Sequence, residues 1–203
     1  MTPLLPLSAR LATFAAWGCL VGVAFFSIYP TTNWLSSLRG EAYSLFLTAE
    51  LNLPFVPQFI WLYLSMYGLF LLPPFFLNPP ELKRLAKELI LGTCVAGAVF
   101  LLWPARLGFP RVLPVEEPYR ALFQGLFAVD QPFNMVPSLH VVYSTAISLA
   151  VMAQAGRVLK PIFAIWVLLI VSSTVLVHQH HLLDVFAGAI LALLMRLILE
   201  KKT

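Results

Sequence analysis

A chain of 203 residues that is 60% hydrophobic and only 11% charged, with a mean hydropathy of +0.87, lacks the polar residues needed to cover a water-soluble domain. This composition excludes a soluble enzyme and makes the chain an integral membrane protein. Its net charge of +4 fits loops that face anionic lipid and gives no reason to expect a nucleic-acid partner.

Residues 11–38, 51–80, 89–105, 131–156 and 161–183 contain no Asp, Glu, Lys or Arg, and a membrane-spanning helix needs about 20 mostly apolar residues. The gaps predict spans at 9–29, 55–77, 86–103, 138–156 and 160–178. A sixth, at 181–199, carries Asp184 near one end and Arg196 near the other, where a long side chain reaches the interface. The expected fold is all-α, a polytopic membrane helical bundle with six transmembrane helices forming a single domain over residues 1–203. The first span reads as an uncleaved anchor, because only Arg10 precedes it and its apolar run outlasts a signal-peptide core. Within it, Gly18 and Gly22 have GxxxG spacing, which reads as close packing inside the bundle rather than a dimer seam.

Residues 30–54 form a connection containing Trp34, Arg39 and Gly40, in which 41–47 have the pattern of an amphipathic helix lying flat on the membrane. Pro73-Pro74 and Pro79-Pro80 read as helix terminators ahead of a basic turn from Lys83 to Lys87. Cys19 and Cys94 fall within spans and read as small apolar packing residues. Six spans put both termini on one side, with Arg10, Lys83, Arg84, Lys87, Arg157, Lys160, Arg196, Lys201 and Lys202. Arg39, Arg106, Arg111 and Arg120 fall on the other. The excess predicts cytoplasmic termini.

Polar chemistry concentrates in the outer connection 104–136. Arg106 and Arg111 flank Leu107-Gly108-Phe109-Pro110, and two guanidiniums so placed either converge on one phosphate or simply contact lipid headgroups. Pro137-Ser138-Leu139-His140 has the form of a helix start, where unpaired N–H groups attract anions and Ser138 adds a hydroxyl. His140 there is either an interfacial histidine satisfied by water or a proton donor to a leaving oxygen. Asp184, just inside an apolar segment, needs a partner, and His180 stands four residues before it. Their bond is either structural or fixes the His180 tautomer and leaves the second ring nitrogen free to attack phosphorus. His178 and His181 flank the pair and keep a zinc site in view.

These strings resemble the motifs of the type 2 phosphatidic acid phosphatase superfamily, membrane lipid phosphatases with vanadium haloperoxidases as distant relatives. Pro137-Ser138-Leu139-His140 matches the family's Pro-Ser-Gly-His, and Ser173, His180 and Asp184 keep the spacing of its third motif. The resemblance implies six helices, no metal and no cofactor. It implies His180 as a nucleophile forming a phosphohistidine, Asp184 as its orienter, His140 as general acid, and Arg111 in the phosphate cradle; Arg106, Ser138 and Leu139 are the other expected phosphate-binding residues. The chain departs from the pattern where Thr174 replaces an arginine and Leu139 a glycine. The first motif is also degraded, with Pro104 standing seven residues before Arg111. Arg106, Arg120 or His178 are the available substitutes for the missing cations. The Pro-Ser-Leu-His variant also resembles the branch containing inositol phosphorylceramide synthase-like enzymes.

The expected function is hydrolysis of a lipid phosphomonoester or diphosphate at the outer membrane face, with a lipid phosphate as substrate and membrane lipids as surroundings. Transfer of the phosphoryl group to an alcohol is the alternative. A binding or transport site for an anionic lipid is a third reading, disfavoured because the ionisable residues cluster at one face.

Overall fold

The computed structural model describes residues 3–39 and 41–200, so the expectations resting on Gly40, Lys201 and Lys202 lie outside the described residues. The uncharged runs fold as helices because a backbone in hydrocarbon has to satisfy its own N–H and C=O groups. α1 (Leu7–Ser37) continues through Pro30 for 31 residues, about 46 Å at 1.5 Å per residue, and so outlasts the expected span at both ends. The second expected span is instead a chain of short pieces: a 3₁₀ turn at Pro57–Phe59, then α2 (Ile60–Leu64), α3 (Met66–Leu69) and α4 (Pro73–Phe76). The joints are tight i→i−3 bonds at Gly68, Leu71 and Leu72. Pro73 and Pro74 open α4 in its first turn, where a missing N–H is tolerated.

Pro79-Pro80 likewise begins a helix instead of ending one. α5 (Pro79–Leu102) starts at Asn78, whose N–H donates to Glu81 Oε2 at 2.7 Å, so Lys83 to Lys87 are helical and the expected basic turn is absent. Residues 41–47 are not a helix either. Tyr43 bridges to Ala105, which bridges to Asn134, tying three connections together, and only Thr48–Asn52 winds, as a 3₁₀ turn. The long connection that follows α5 contains a helix that the charge pattern conceals, α6 (Tyr119–Val129), whose Phe123 packs with Ile60, Tyr63 and Val177.

α7 (Leu139–Gln154), α8 (Leu159–Leu176) and α9 (Leu182–Glu200) follow. Among the described residues, α1, α5, α8 and α9 are long and apolar enough to cross a membrane, while α7 is shorter, with 16 residues. Almost every residue of α7 from Leu139 to Val151 is buried against α5, α8 and α9, so protein rather than lipid surrounds it. The outward faces of α1, α8 and α9 expose large apolar side chains such as Phe26, Leu168 and Phe186, as hydrocarbon-facing helices do. Cys19 and Cys94 lie on such exposed faces and not in the packed interior.

Candidate active site

The turn that carries His180 is built from a helix end. α8 stops at Leu176, where the His178 N–H donates to the Val175 carbonyl at 2.9 Å and the Gln179 N–H to the Thr174 carbonyl at 3.0 Å, the paired bonds of a Schellman cap. The His180 N–H adds a third bond, to the same Thr174 carbonyl at 3.0 Å. The closing residue, His178, has φ of 56°, a left-handed conformation that costs a residue with a Cβ on the order of 1 kcal/mol. Its ring offsets that cost by stacking on Phe109 with centroids 4.0 Å apart, while Nε2 lies 3.1 Å from the Leu53 carbonyl. Burial holds its pKa below the usual histidine range. His178 is thus a brace for the turn. Thr174 is fully buried and its hydroxyl donates to the Val171 carbonyl at 2.8 Å, back into α8, so the side chain at the position of the family's arginine turns to its own helix.

The expected His180–Asp184 contact forms, though not along one helix, since α9 begins only at Leu182. Asp184 occupies the third helical position and folds back: Oδ2 accepts the His181 N–H at 2.8 Å and lies 3.2 Å from His180 Nδ1. This is the reciprocal half of a capping box, and the helix dipole favours a carboxylate there. A second carboxylate, invisible to sequence reasoning, caps the same helix from residues far away in the chain. Glu50 Oε2 accepts the Leu182 N–H at 2.8 Å and faces His181 Nδ1 at 3.3 Å, while Oε1 accepts the Leu47 N–H at 2.9 Å. The Gly108 N–H donates to His181 Nε2 at 3.0 Å, which requires that nitrogen to be unprotonated and puts the proton on Nδ1, toward Glu50. His181 is therefore neutral, in keeping with burial lowering its pKa against the pull of Asp184 and Glu50. Burial alone would raise the Glu50 pKa, but the Leu182 and Leu47 N–H groups with His181 outweigh it and leave it lowered. The four rings of His178, Phe109, His181 and Phe46 form one near-parallel column, with successive centroids 4.0, 4.3 and 4.4 Å apart.

Ser138 caps α7, with Oγ accepting the Val141 N–H at 3.3 Å, and its own N–H donates to the Asp184 carbonyl at 3.0 Å. The two motifs noted in the sequence are thereby bonded to each other. They approach because Gly188, in the second turn of α9, has no side chain: a Cβ there would sit 2.7 Å from the Ser138 carbonyl oxygen. His140, in the first turn of α7, is buried, stacks on Tyr63 with centroids 4.0 Å apart, and has no hydrogen-bond partner at Nε2. His140 and His180 line the same cavity, of about 630 Å³, together with Leu139, Asp130 and Tyr29.

The expected cations are placed unequally. Arg111 is half-buried, with its guanidinium 4.9 Å from the Phe127 ring centroid and Nη1 reaching the Phe127 carbonyl at 3.4 Å, and Nε has no acceptor. Burial lowers its pKa while Asp130, Tyr29 and Tyr63 oppose that. Asp130, another residue missed in the sequence, accepts from Tyr29 Oη at 2.7 Å and Asn33 Nδ2 at 3.1 Å. Burial raises its pKa against the pull of those donors, His180 and Arg111. Arg106 is exposed and bonded to Ser44 Oγ at 3.0 Å, Arg120 is exposed on α6, and none of the three, Arg111 included, lines the cavity. His178, His180 and His181 each turn to a different partner instead of converging on one point.

The family model of the PAP2 superfamily matches residues 40–198, a stretch that contains Glu50, Arg111, Asp130, His140, His180 and Asp184. This chain belongs to the PAP2 superfamily. The fold agrees: the crystal structure of LpxE from Aquifex aeolicus superposes with a TM-score of 0.55 over 81% of this chain and 99% of that one, at 18% identity. No curated protein matches the sequence. Within this PAP2 member, the arrangement holds one imidazole whose Nδ1 is fixed by a carboxylate and whose Nε2 is available, and a second imidazole with an unclaimed Nε2 beside the same cavity. Chemically, imidazoles so placed are able to serve as a nucleophile and a proton donor.

Proposed function

We propose that this PAP2-superfamily chain is a membrane lipid phosphatase that hydrolyses a lipid phosphomonoester or diphosphate through a phosphohistidine. The observation that carries the reading is the pair of histidines at one end of an otherwise apolar cavity, His180 held by Asp184 and His140 with Nε2 unclaimed. His180 donates Nδ1–H to Asp184 and attacks phosphorus with the Nε2 lone pair. As the P–N bond forms, the P–O bond to the lipid breaks and protonated His140 passes its proton to the departing oxygen. His140 then takes a proton from the water that attacks the phosphohistidine; the P–N bond breaks, its electron pair returns to His180, and phosphate leaves. Arg111 neutralises the charge on the phosphoryl oxygens, Leu139 lines the approach at the α7 start, and Ser138 caps that helix beneath it. Phosphate-ester hydrolysis is slow enough to demand more than about 20 kcal/mol of barrier reduction, so oriented nucleophile, acid and cation have to act together.

No metal takes part in this scheme, because the imidazoles nearest the nucleophile are committed to protein partners. The topology that suits it has six membrane passages, with the 57–76 path and α7 as the second and fourth. The arginine-bearing outer connections hold the site on the external face, and both termini are cytoplasmic.

The test is phosphate release from lipid phosphates by purified protein in detergent. His180→Ala is expected to lower turnover by about 10⁴-fold or more while thermal unfolding stays near wild type; substantial residual turnover would remove His180 as nucleophile. Chelator is expected to leave activity in place, and a loss that zinc restores would overturn the metal-free scheme. A phosphorylated alcohol as the main product would reassign the enzyme to phosphotransfer.

A further inference from the structure

Gly18 and Gly22 stand out in the sequence by their spacing, yet neither is a packing contact. A Cβ placed on either meets no atom within 4 Å, whereas one on Gly97 would lie 2.3 Å from Ile28 Cγ2, where α1 and α5 touch. Both glycines instead line the cavity that contains His140 and His180. That cavity changes character along α1. Its outer end is polar, with Tyr29, Asp130, Asn134 and the two histidines; further in, it is walled by Phe25, Trp17 and Phe14 of α1, by Phe70, and by Leu89 and Leu82 of α5. Among the described residues that line it, Asp130 is the one carboxylate and no Lys or Arg is present.

We propose that this cavity takes the hydrocarbon tail of the lipid phosphate, laid along α1, and that Gly22 and Gly18 set the length of tail accepted. The headgroup end of this inference rests on the phosphatase reading above. The tail end rests on the cavity alone. A phosphorus atom at His180 places the ester oxygen near His140, and the apolar route away from that point is the α1 wall. Gly22 lies seven residues and Gly18 eleven residues inward of Tyr29, about 10 and 16 Å along the helix axis at 1.5 Å per residue. At roughly 1.2 Å per bond of an extended chain, those depths correspond to about eight and about thirteen carbons. The missing side chains leave open the space through which a longer tail passes. A Cβ at either position meets no atom within 4 Å, so a leucine there projects into this space, and Gly→Ala at the same positions serves as a control for backbone effects.

The experiment uses the full chain in lipid nanodiscs with Gly22→Leu, Gly18→Leu and the two alanine controls, and monoalkyl phosphates with hexyl, decyl and hexadecyl tails. Gly22→Leu is expected to lower the hexadecyl-to-hexyl and decyl-to-hexyl ratios of kcat/KM by about tenfold or more. Gly18→Leu is expected to lower only the hexadecyl ratio, and the alanine variants to shift neither appreciably. A parallel thermal-unfolding series with hexyl- and hexadecylphosphonate, which are not hydrolysed, reads tail binding without chemistry. If wild type hydrolyses none of the phosphates but the leucine variants still lose the hexadecylphosphonate shift selectively, the tail site stands and the phosphatase reading falls. If the leucine variants lose activity and stabilisation equally at all tail lengths, or change neither, the tail proposal is overturned and the cavity holds ordinary bilayer lipid.

Discussion

His180 and Arg111, the proposed nucleophile and phosphate-binding cation, sit on separate loops, and the two are held very differently. Around His180 every neighbour is anchored. The Thr174 carbonyl takes two N–H groups, Asp184 holds the ring, Glu50 caps α9, and a four-ring column pins the residues on either side. Arg111 has one long bond to a carbonyl, an aromatic ring beneath it, and an Nε with no acceptor. The contrast separates two jobs. A nucleophile gains from being oriented before substrate arrives, whereas a cation that has to receive an anion keeps its donors uncommitted until the anion supplies the acceptors.

The largest effect that would break this contrast is on the uncommitted side. Arg111→Ala is expected to lower kcat/KM by about 100-fold with little change in thermal unfolding, because little of the fold depends on its bonds; a large drop in stability with modest kinetic loss would make Arg111 structural. Glu50→Gln probes the anchored side with the opposite signature. Expected are a loss of about 1–2 kcal/mol of stability, from weakened bonds to a charged acceptor, and roughly a tenfold fall in kcat as the His180 turn loosens. The Glu50 pKa is lowered on folding, so its stabilisation is present above the ordinary glutamate pKa and lost as pH falls through the folded value. The difference in unfolding temperature between wild type and Glu50→Gln is therefore expected to close in acid, and a gap independent of pH would refute the charged cap.

The smallest effect sharpens the region between the two sides. The Asp130 pKa is raised on folding, so the folded state binds its proton more tightly than the unfolded chain. Its ionised form costs stability as pH climbs through and above the ordinary aspartate pKa. Asp130→Asn keeps an acceptor for Tyr29 and is expected to stabilise the protein at neutral pH by less than about 1 kcal/mol, with the gain vanishing below about pH 4. A destabilised variant at neutral pH would show that the carboxylate is needed as an ion, as a partner for Arg111 or His180.

Much of this was legible in the chain. The charge-free runs marked where helices form, and the spacing from His180 to Asp184 marked the nucleophile's partner. The paired prolines misled because proline is tolerated in a first helical turn as well as beyond a last one, and the sequence alone does not say which side of Pro79 the helix occupies. α6 escaped notice because Arg120 and the acidic pair before it gave the segment the look of a loop. Glu50 was beyond reach for a different reason: its contacts with His181 and Leu182 join residues 131 and 132 apart in sequence, and no local period records such a bond. At Thr174 the departure from the family's arginine remains a loss of side-chain charge, because the carbonyl from which the His180 turn hangs belongs to the backbone whatever the residue.

Gly188 carries the least chemistry of any residue at the site, yet the gap between the His140 and His180 helix starts is gauged there. The Ser138-to-Asp184 bond holds the two helix starts together only while nothing is wedged beneath it, and a single methyl group would stand 2.7 Å from the Ser138 carbonyl oxygen. A search of the sequence for functional groups passes over this position, since what matters there is a volume left empty.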